Sequence, residues 1–320
     1  MNRANQKKIE EFHVEDTPKG EINHYWLKLS TNALGESIRL PIMVARGIGE
    51  GPVLGLTAAV HGNELNGISV IQKLFNDLEP NNMNGTVVGV PVVNLQAFFQ
   101  GEREFNDGID LNRIMPGVKN GNTSQVFAYR FFHGLVRKFD FLLDLHTASF
   151  GRVNSYYIRS DMNNKVHQEL AHLQDAEIIV HSEASDGTLR GAAEALDIPA
   201  ITIEVGNPNR FQKKLIRSGL EGVHNVLAYL NMTDDEIEKP SRNTIVCKKS
   251  YWIYTNTGGL LTVHVDLVDN VKKGQHIATI RDIFGNILEE YFSPENGVII
   301  GKSVNPVNQS GGRIVHLGIE

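Results

Sequence analysis

The sequence predicts an α/β protein, a mostly parallel mixed sheet flanked by helices, followed by a small all-β domain. Three observations lead there. Strand-like and helix-period segments alternate through the first two thirds of the chain, as they do where helices cover a parallel sheet. The runs 86–93 and 139–145 are almost continuously apolar, the mark of strands buried on both faces. After Asn231 the texture changes: beyond Ile245 no helix-length periodic segment occurs, and short apolar runs are punctuated by Gly, Asn, Asp and Pro.

Taken in order, 38–44 and 53–60 read as strands separated by the turn at Gly47, Gly49 and Gly51. Residues 64–78 read as a helix, because Leu65, Ile68, Ile71, Leu74, Phe75 and Leu78 recur at three- and four-residue spacing. Ser124 is placed as the cap of a helix reaching about Lys138. There follow a strand over 153–158, a helix over 163–173, a short helix over 189–196, a strand over 200–205 and a long helix over 211–230. The polar segment 233–243, with Pro240, reads as a linker. The expected division is therefore a first domain over 1–240 and a second, all-β, over 241–320. Its strands come from the runs 260–267, 276–280, 297–300 and 313–317.

Composition narrows the function classes. The chain has 320 residues, 41% of them hydrophobic, and its 31 Lys and Arg against 37 Asp and Glu give a net charge of −6. That balance argues against a nucleic-acid partner. A single cysteine, Cys247, excludes an internal disulfide and a cysteine-rich zinc ribbon. The stretch 1–20 is polar without an apolar run, and no segment approaches the ~18 apolar residues of a membrane helix. A cytoplasmic protein with no membrane partner and no secretory signal is expected, and a homo-oligomer is allowed.

Four groups of residues carry chemistry. His61 and Glu64 stand where the strand 53–60 gives way to a helix, and Gly62 between them permits a turn and close backbone approach. Alone, they read more readily as a strand-end histidine and a helix-start carboxylate than as metal ligands. His146 ends the apolar strand 139–145, and Asp144 shares its face by the period of two; a carboxylate behind a metal-bound imidazole fixes its tautomer. Together His61, Glu64 and His146 make two imidazoles and one carboxylate, the ligand count of a catalytic zinc site. Glu204 sits in the otherwise apolar 200–205, where a carboxylate is either salt-bridged or functional, and beside a metal it suits a general base. Finally, Arg103, Asn112 and Arg113, with Asp110, lie in the long segment 96–122 and supply groups able to grip a carboxylate.

This constellation resembles the succinylglutamate desuccinylase/aspartoacylase family, a branch of the zinc carboxypeptidase superfamily. The matching parts are His61-x-x-Glu64, the Asp110-Leu111-Asn112-Arg113 element, His146 after an apolar strand, and Glu204 two residues before Gly206. They occur in the family's order over 54–206, and the small β domain also fits. The resemblance implies a zinc-carboxypeptidase-like catalytic domain with one Zn2+ per chain, held by His61, Glu64 and His146. It implies Glu204 as general base and later proton donor, and Arg103 as the group polarising the scissile carbonyl. It further implies Asn112 and Arg113 as the grip on a substrate carboxylate, and Asp110 orienting His61. For the family's substrate-closing tyrosine, Tyr156 and Tyr157 are candidates and Tyr291 a weaker one; Tyr156 is taken.

The resulting expectation is a zinc-dependent hydrolase of a linear amide, a deacylase of a small N-acyl amino acid or related N-acylated amine. Two other readings stand beside it: a carboxypeptidase trimming peptide C-termini, and a binding protein that holds metal without hydrolysis. The run 297–303 mimics a phosphate loop, but three residues separate its glycines where four are needed. No Gly-x-Ser-x-Gly elbow occurs. The C-terminal part resembles the barrel-sandwich fold of biotinyl and lipoyl carriers without their modified lysine hairpin, and its expected role is to shield the site or mediate assembly. A paired site of His264 and His316 within it is weighed as a minor alternative.

Overall fold

The computed structural model describes residues 6–320, so the first five residues of the polar N-terminal stretch lie outside it. Eleven strands come first: β1 (Gln6–Ile9), β2 (Glu21–Thr31), β3 (Ser37–Arg46), β4 (Gly49–Ala58), β5 (Asn84–Val90), β6 (Phe141–His146), β7 (Arg152–Asn154), β8 (Tyr156–Ser160), β9 (Ile178–His181), β10 (Ala200–Val205) and β11 (Ile245–Cys247). All but β7 join one ten-stranded sheet in the order β1-β2-β3-β5-β4-β6-β10-β8-β9-β11. Its centre, β5, β4, β6 and β10, is parallel, and β2, β3 and β8 make it mixed.

Six helices pack on this sheet: α1 (Asn66–Asp77), α2 (Leu95–Gln100), α3 (Thr123–Gly134), α4 (Lys165–His172), α5 (Leu189–Glu194) and α6 (Lys213–Tyr229). α1, α4 and α6 cover one face, where Ile68, Ile71, Leu170 and Val223 meet Leu54, Leu143, Ile201 and Ile203 of the strands. α3 and α5 cover the other, where Phe127, Phe131 and Leu189 meet Leu142 and Ala200. Near-continuous apolar strands are thus explained, because successive side chains enter two different cores. α1 begins at Asn66 rather than Glu64, which leaves Glu64 free of the helix. α3 is capped by Asn122 rather than Ser124, in a reciprocal box with Gln125. β1, β2, β9 and β11 are additions to the strands read from the sequence.

From Lys249 the chain forms β12 (Lys249–Tyr254), β13 (Gly259–Val263), β14 (Asn270–Val271), β15 (His276–Arg281), β16 (Ile287–Phe292), β17 (Gly297–Ser303), β18 (Val307–Asn308) and β19 (Arg313–Ile319). They make two sheets, β12-β19-β17-β14 and β16-β15-β13-β18, around Leu261, Ile277, Ile280, Ile299, Ile314 and Leu317. The phosphate-loop look-alike is the strand β17. The two parts exchange an edge: β11 extends the large sheet beside β9, and β7 adds to the small one beside β17. No helix among the described residues is long and apolar enough to cross a membrane.

Candidate metal centre and active-site cavity

Strand parity decides which side chains meet. On β6, Leu143 and Leu145 enter the core beneath α1, so Asp144 and His146 face the other way. β10 pairs with β6 to set Thr202 beside Asp144 and Glu204 beside His146. β8 pairs with β10 to set Arg159 beside Thr202 and Tyr157 beside Glu204. His146, Glu204 and Tyr157 therefore form one row, and Asp144, Thr202 and Arg159 the next. Both rows lie at the carboxyl ends of β6 and β10, the edge where α/β sheets place their sites.

The loop after β4 brings His61 and Glu64 to the same point. Gly62 is required there, because a Cβ on it would lie 2.1 Å from the carbonyl carbon of Ala97 in α2. His61 Nδ1 is 2.8 Å from Glu64 Oε1, His146 Nδ1 is 2.9 Å from Glu64 Oε2, and the two Nδ1 atoms are 3.3 Å apart. Each ring turns its Nε2 to a carboxylate, His61 to Asp110 Oδ1 at 3.0 Å and His146 to Asp144 Oδ2 at 2.7 Å. Facing a carboxylate, each Nε2 carries the proton, so both Nδ1 lone pairs aim inward beside the Glu64 oxygens. Two imidazole nitrogens and a carboxylate oxygen thus meet at one buried point, close enough together for one cation to bridge them. The three residues fit a divalent metal with N, N, O ligation.

The surrounding electrostatics favour positive charge at this point. Burial opposes ionisation of Glu64, yet His61 and His146 prevail and hold its carboxyl well below the usual range. Burial equally opposes charge on His146, but Asp144 and Glu64 raise it well above an ordinary histidine. Asp110 is held down by His61 and Arg103 against its burial. A side chain and a backbone amide anchor the set: Thr57 Oγ1 donates to Asp144 Oδ1 at 2.6 Å, and Thr147 N donates to Glu64 Oε2 at 3.0 Å.

A cavity of about 520 Å³ opens over these residues, and Arg103, Asn112, Arg113 and Glu204 line it. Arg103 forks onto Asp110 Oδ2 through Nε and Nη2 at 3.1 and 2.8 Å, and its Nη1 reaches Glu64 Oε1 at 3.3 Å and Ser149 Oγ at 2.6 Å. One of its N–H groups has no partner among the described residues. Asn112 Oδ1 accepts from Leu189 N at 2.7 Å, which leaves its amide hydrogens available. Glu204 is raised by burial, partly offset by Arg159 and His146. Arg159 Nε stands 3.8 Å from Glu204 Oε1, and Asn154 Nδ2 donates to Oε2 at 3.2 Å.

Tyr156 does not reach this cavity. It enters the opposite core, its hydroxyl without a hydrogen-bond partner, whereas Tyr157 lines the cavity and its hydroxyl accepts from Arg159 at 2.9 and 3.1 Å. The expectation of Tyr156 at the substrate is thus corrected by one position, the parity of β8. Tyr291 bonds to Glu289 and Asn256 within the C-terminal part, outside the cavity. His264 and His316 have different surroundings, Thr279 for the first and Trp252 with Ser250 for the second. Asn154, Arg152, Trp252 and Arg313 join the cavity unannounced by any motif.

A buried two-histidine, one-carboxylate set at the carboxyl edge of a mostly parallel sheet, with a small β part closing over it, defines a class of proteins that the comparisons resolve. The family model of the succinylglutamate desuccinylase/aspartoacylase catalytic domain matches residues 50–230, and the chain belongs to this family. It is similar to the N-alpha-acetyl-L-2,4-diaminobutyric acid deacetylase of Halomonas elongata, with 27% identity over 299 residues, 88% of this chain and 86% of that protein. In fold it is similar to the product-bound ectoine utilization protein EutE (DoeB) of Ruegeria pomeroyi, with a TM-score of 0.86 at 22% identity, covering 95% of this chain and 98% of that one. The succinylglutamate desuccinylase/aspartoacylase of Rhodobacter sphaeroides gives a TM-score of 0.84 at 21% identity over 93% and 95% of the two chains.

Proposed function

We propose that the protein is a zinc-dependent deacylase that hydrolyses the amide of a small N-acyl amino acid, or related N-acylated amine, in the cytoplasm. The observation that best supports this is Glu204, a largely buried carboxylate beside His146 in the same β ladder, raised by its desolvation. A protein that only stored metal has no use for it. The Halomonas deacetylase supports the same class of bond.

In this reading His61, Glu64 and His146 hold one zinc per chain, and Asp110 and Asp144 fix the two imidazoles. Bound there, zinc supplies Lewis acidity, lowering the pKa of water toward neutrality and polarising a carbonyl. Glu204 takes the proton of the attacking water and returns it to the leaving amine, and burial, which raises it, favours its holding that proton in between. Arg103 donates its unpartnered N–H to the carbonyl oxygen as charge grows on it. Asn112 and Arg113 hold the substrate carboxylate, and Tyr157 takes the role first given to Tyr156. The division into a catalytic part and a small all-β part is proposed with its boundary moved from 240 to the residue after Cys247, because β11 (Ile245–Cys247) belongs to the large sheet, and both parts wall the cavity.

The test is amine release from a panel of N-acetyl and N-succinyl amino acids and C-terminal dipeptides. Release is expected from acylated amino acids, lost with chelator and restored by zinc. Glu204→Gln is expected to keep one zinc per chain and lose about 10²–10⁴-fold in turnover, the scale of general acid–base catalysis. Undiminished turnover in that variant would overturn the assignment.

A further inference from the structure

The cavity holds more positive charge than its own acids balance. Among the described residues, Arg103 pairs with Asp110 and Glu64, Arg159 with Glu204, and Arg190 with Glu194. Arg113, Arg152 and Arg313 also line it and have no carboxylate partner within ion-pair distance among the described residues. Arg113 is accounted for by the carboxylate grip proposed above. Arg152 and Arg313 are not.

These two come from different parts of the molecule, β7 and β19, and converge on one ring. The Arg152 guanidinium lies 5.7 Å from the ring centroid of Trp252 on β12, and that of Arg313 lies 5.4 Å from it. Trp252 is itself backed by His316, stacked at 5.2 Å with an interplanar angle of 11°. An aromatic ring attracts and orients a guanidinium while leaving its N–H edge free to take an anion in two parallel bonds. Both arginines also wall a second hollow of about 300 Å³, so they stand between the metal site's cavity and an outer one. The half-buried Arg152 is disfavoured by its burial and by Arg313 and Arg103 nearby, with Glu204 and Glu64 offsetting part of this, and an arriving anion supplies the close counter-charge it lacks.

We propose that Arg152 and Arg313, seated on Trp252, form an anion subsite shared by the two sheets. It selects N-acyl substrates with a second carboxylate and disfavours those with a free ammonium group. The inference rests on the deacylase reading for its substrate, but not for its binding. The named substrate of the Halomonas relative carries a side-chain amine, so the subsite predicts a different preference for this chain. Discrimination then comes from an unpaired like charge as much as from a new attraction.

Two measurements on the zinc-loaded full chain test it. The first compares KM for N-acetylglutamate with its near-isostere N-acetylglutamine, and for N-succinylalanine with N-butanoylalanine. Arg152→Gln and Arg313→Gln are expected to erode the preference for the diacid tenfold or more, in whichever pair carries the second carboxylate on the recognised half, with kcat for the diacid changing less than KM. Arg313→Lys should recover part of it. The second is calorimetric binding of glutarate against its monoamide, which requires no turnover. Glutarate binding that weakens tenfold in both Gln variants, with no N-acyl compound hydrolysed, sinks the deacylase reading and leaves the subsite standing. Glutarate binding indifferent to both substitutions, or a wild-type preference for N-acetyldiaminobutyrate over N-acetylglutamate, overturns the subsite.

Discussion

In the proposed centre Asp144 acts entirely through a neighbour. Its Oδ2 takes the outward nitrogen of His146 at 2.7 Å while Thr57 and the sheet hold it in place, so the imidazole can present only Nδ1 to the site. Asp144→Asn keeps the shape but no longer enforces the tautomer, and zinc affinity should fall about 10–100-fold, the usual effect of losing such a partner. Competition with a chromogenic chelator reads this directly; equal affinity in the variant would remove Asp144 from the site. Four proposed site residues, His61, Glu64, His146 and Glu204, were legible because each is chemically out of place: His146 and Glu204 at the end of apolar strands, His61 and Glu64 where an apolar strand gives way to a helix. Tyr157 was not. In 153–158 two tyrosines are adjacent, and only the register against Glu204 says which of them turns to the cavity.

At the scale of elements, the small β part reaches the proposed base by a ladder. Across its sheet Trp252 pairs with His316, His316 with Gly301, and Gly301 with Asn154. Asn154 then donates to Glu204. Gly301 is the rung without a side chain, and a Cβ there would lie 2.5 Å from Asn154 Oδ1. Gly301→Ala should therefore push the Asn154 amide off Glu204 and lower turnover by about tenfold, the worth of a hydrogen bond to a charged group, with substrate KM and zinc content little altered. Steady-state kinetics beside metal analysis checks this. Most central elements were visible in the sequence, because buried parallel strands and amphipathic helices have strong periods. β9, four residues long, gave too little pattern. The split of 153–158 into β7 and β8 was hidden because both halves are extended; they differ only in the sheet they join.

For the whole molecule, the histidine that backs Trp252 links pH to stability. His316 is buried, and burial lowers it well below the ordinary range, with Arg159 and Arg313 adding to the effect. In the unfolded chain a histidine titrates near 6.5, so below that pH the unfolded state binds a proton that the folded state refuses. This contribution is fully present above about pH 6.5 and declines as pH falls toward the lowered value, by at most about 1.4 kcal/mol per pH unit. His316→Phe, which keeps a ring against Trp252, should flatten that part of the slope in urea unfolding at about pH 5, 6 and 7.5; a slope identical to wild type would place the titration elsewhere. The overall architecture, α/β then all-β, was plain from the change of texture after Asn231. The exchange of edges between the two parts was not, since strand partners so distant in the chain leave no local signal. That exchange has an evolutionary consequence. A chimaera that joins the first part of this protein to the second part of a relative at the linker takes Asn154 from one parent and the glycine that makes room for it from the other, so the two halves are inherited as a matched pair and not as interchangeable modules.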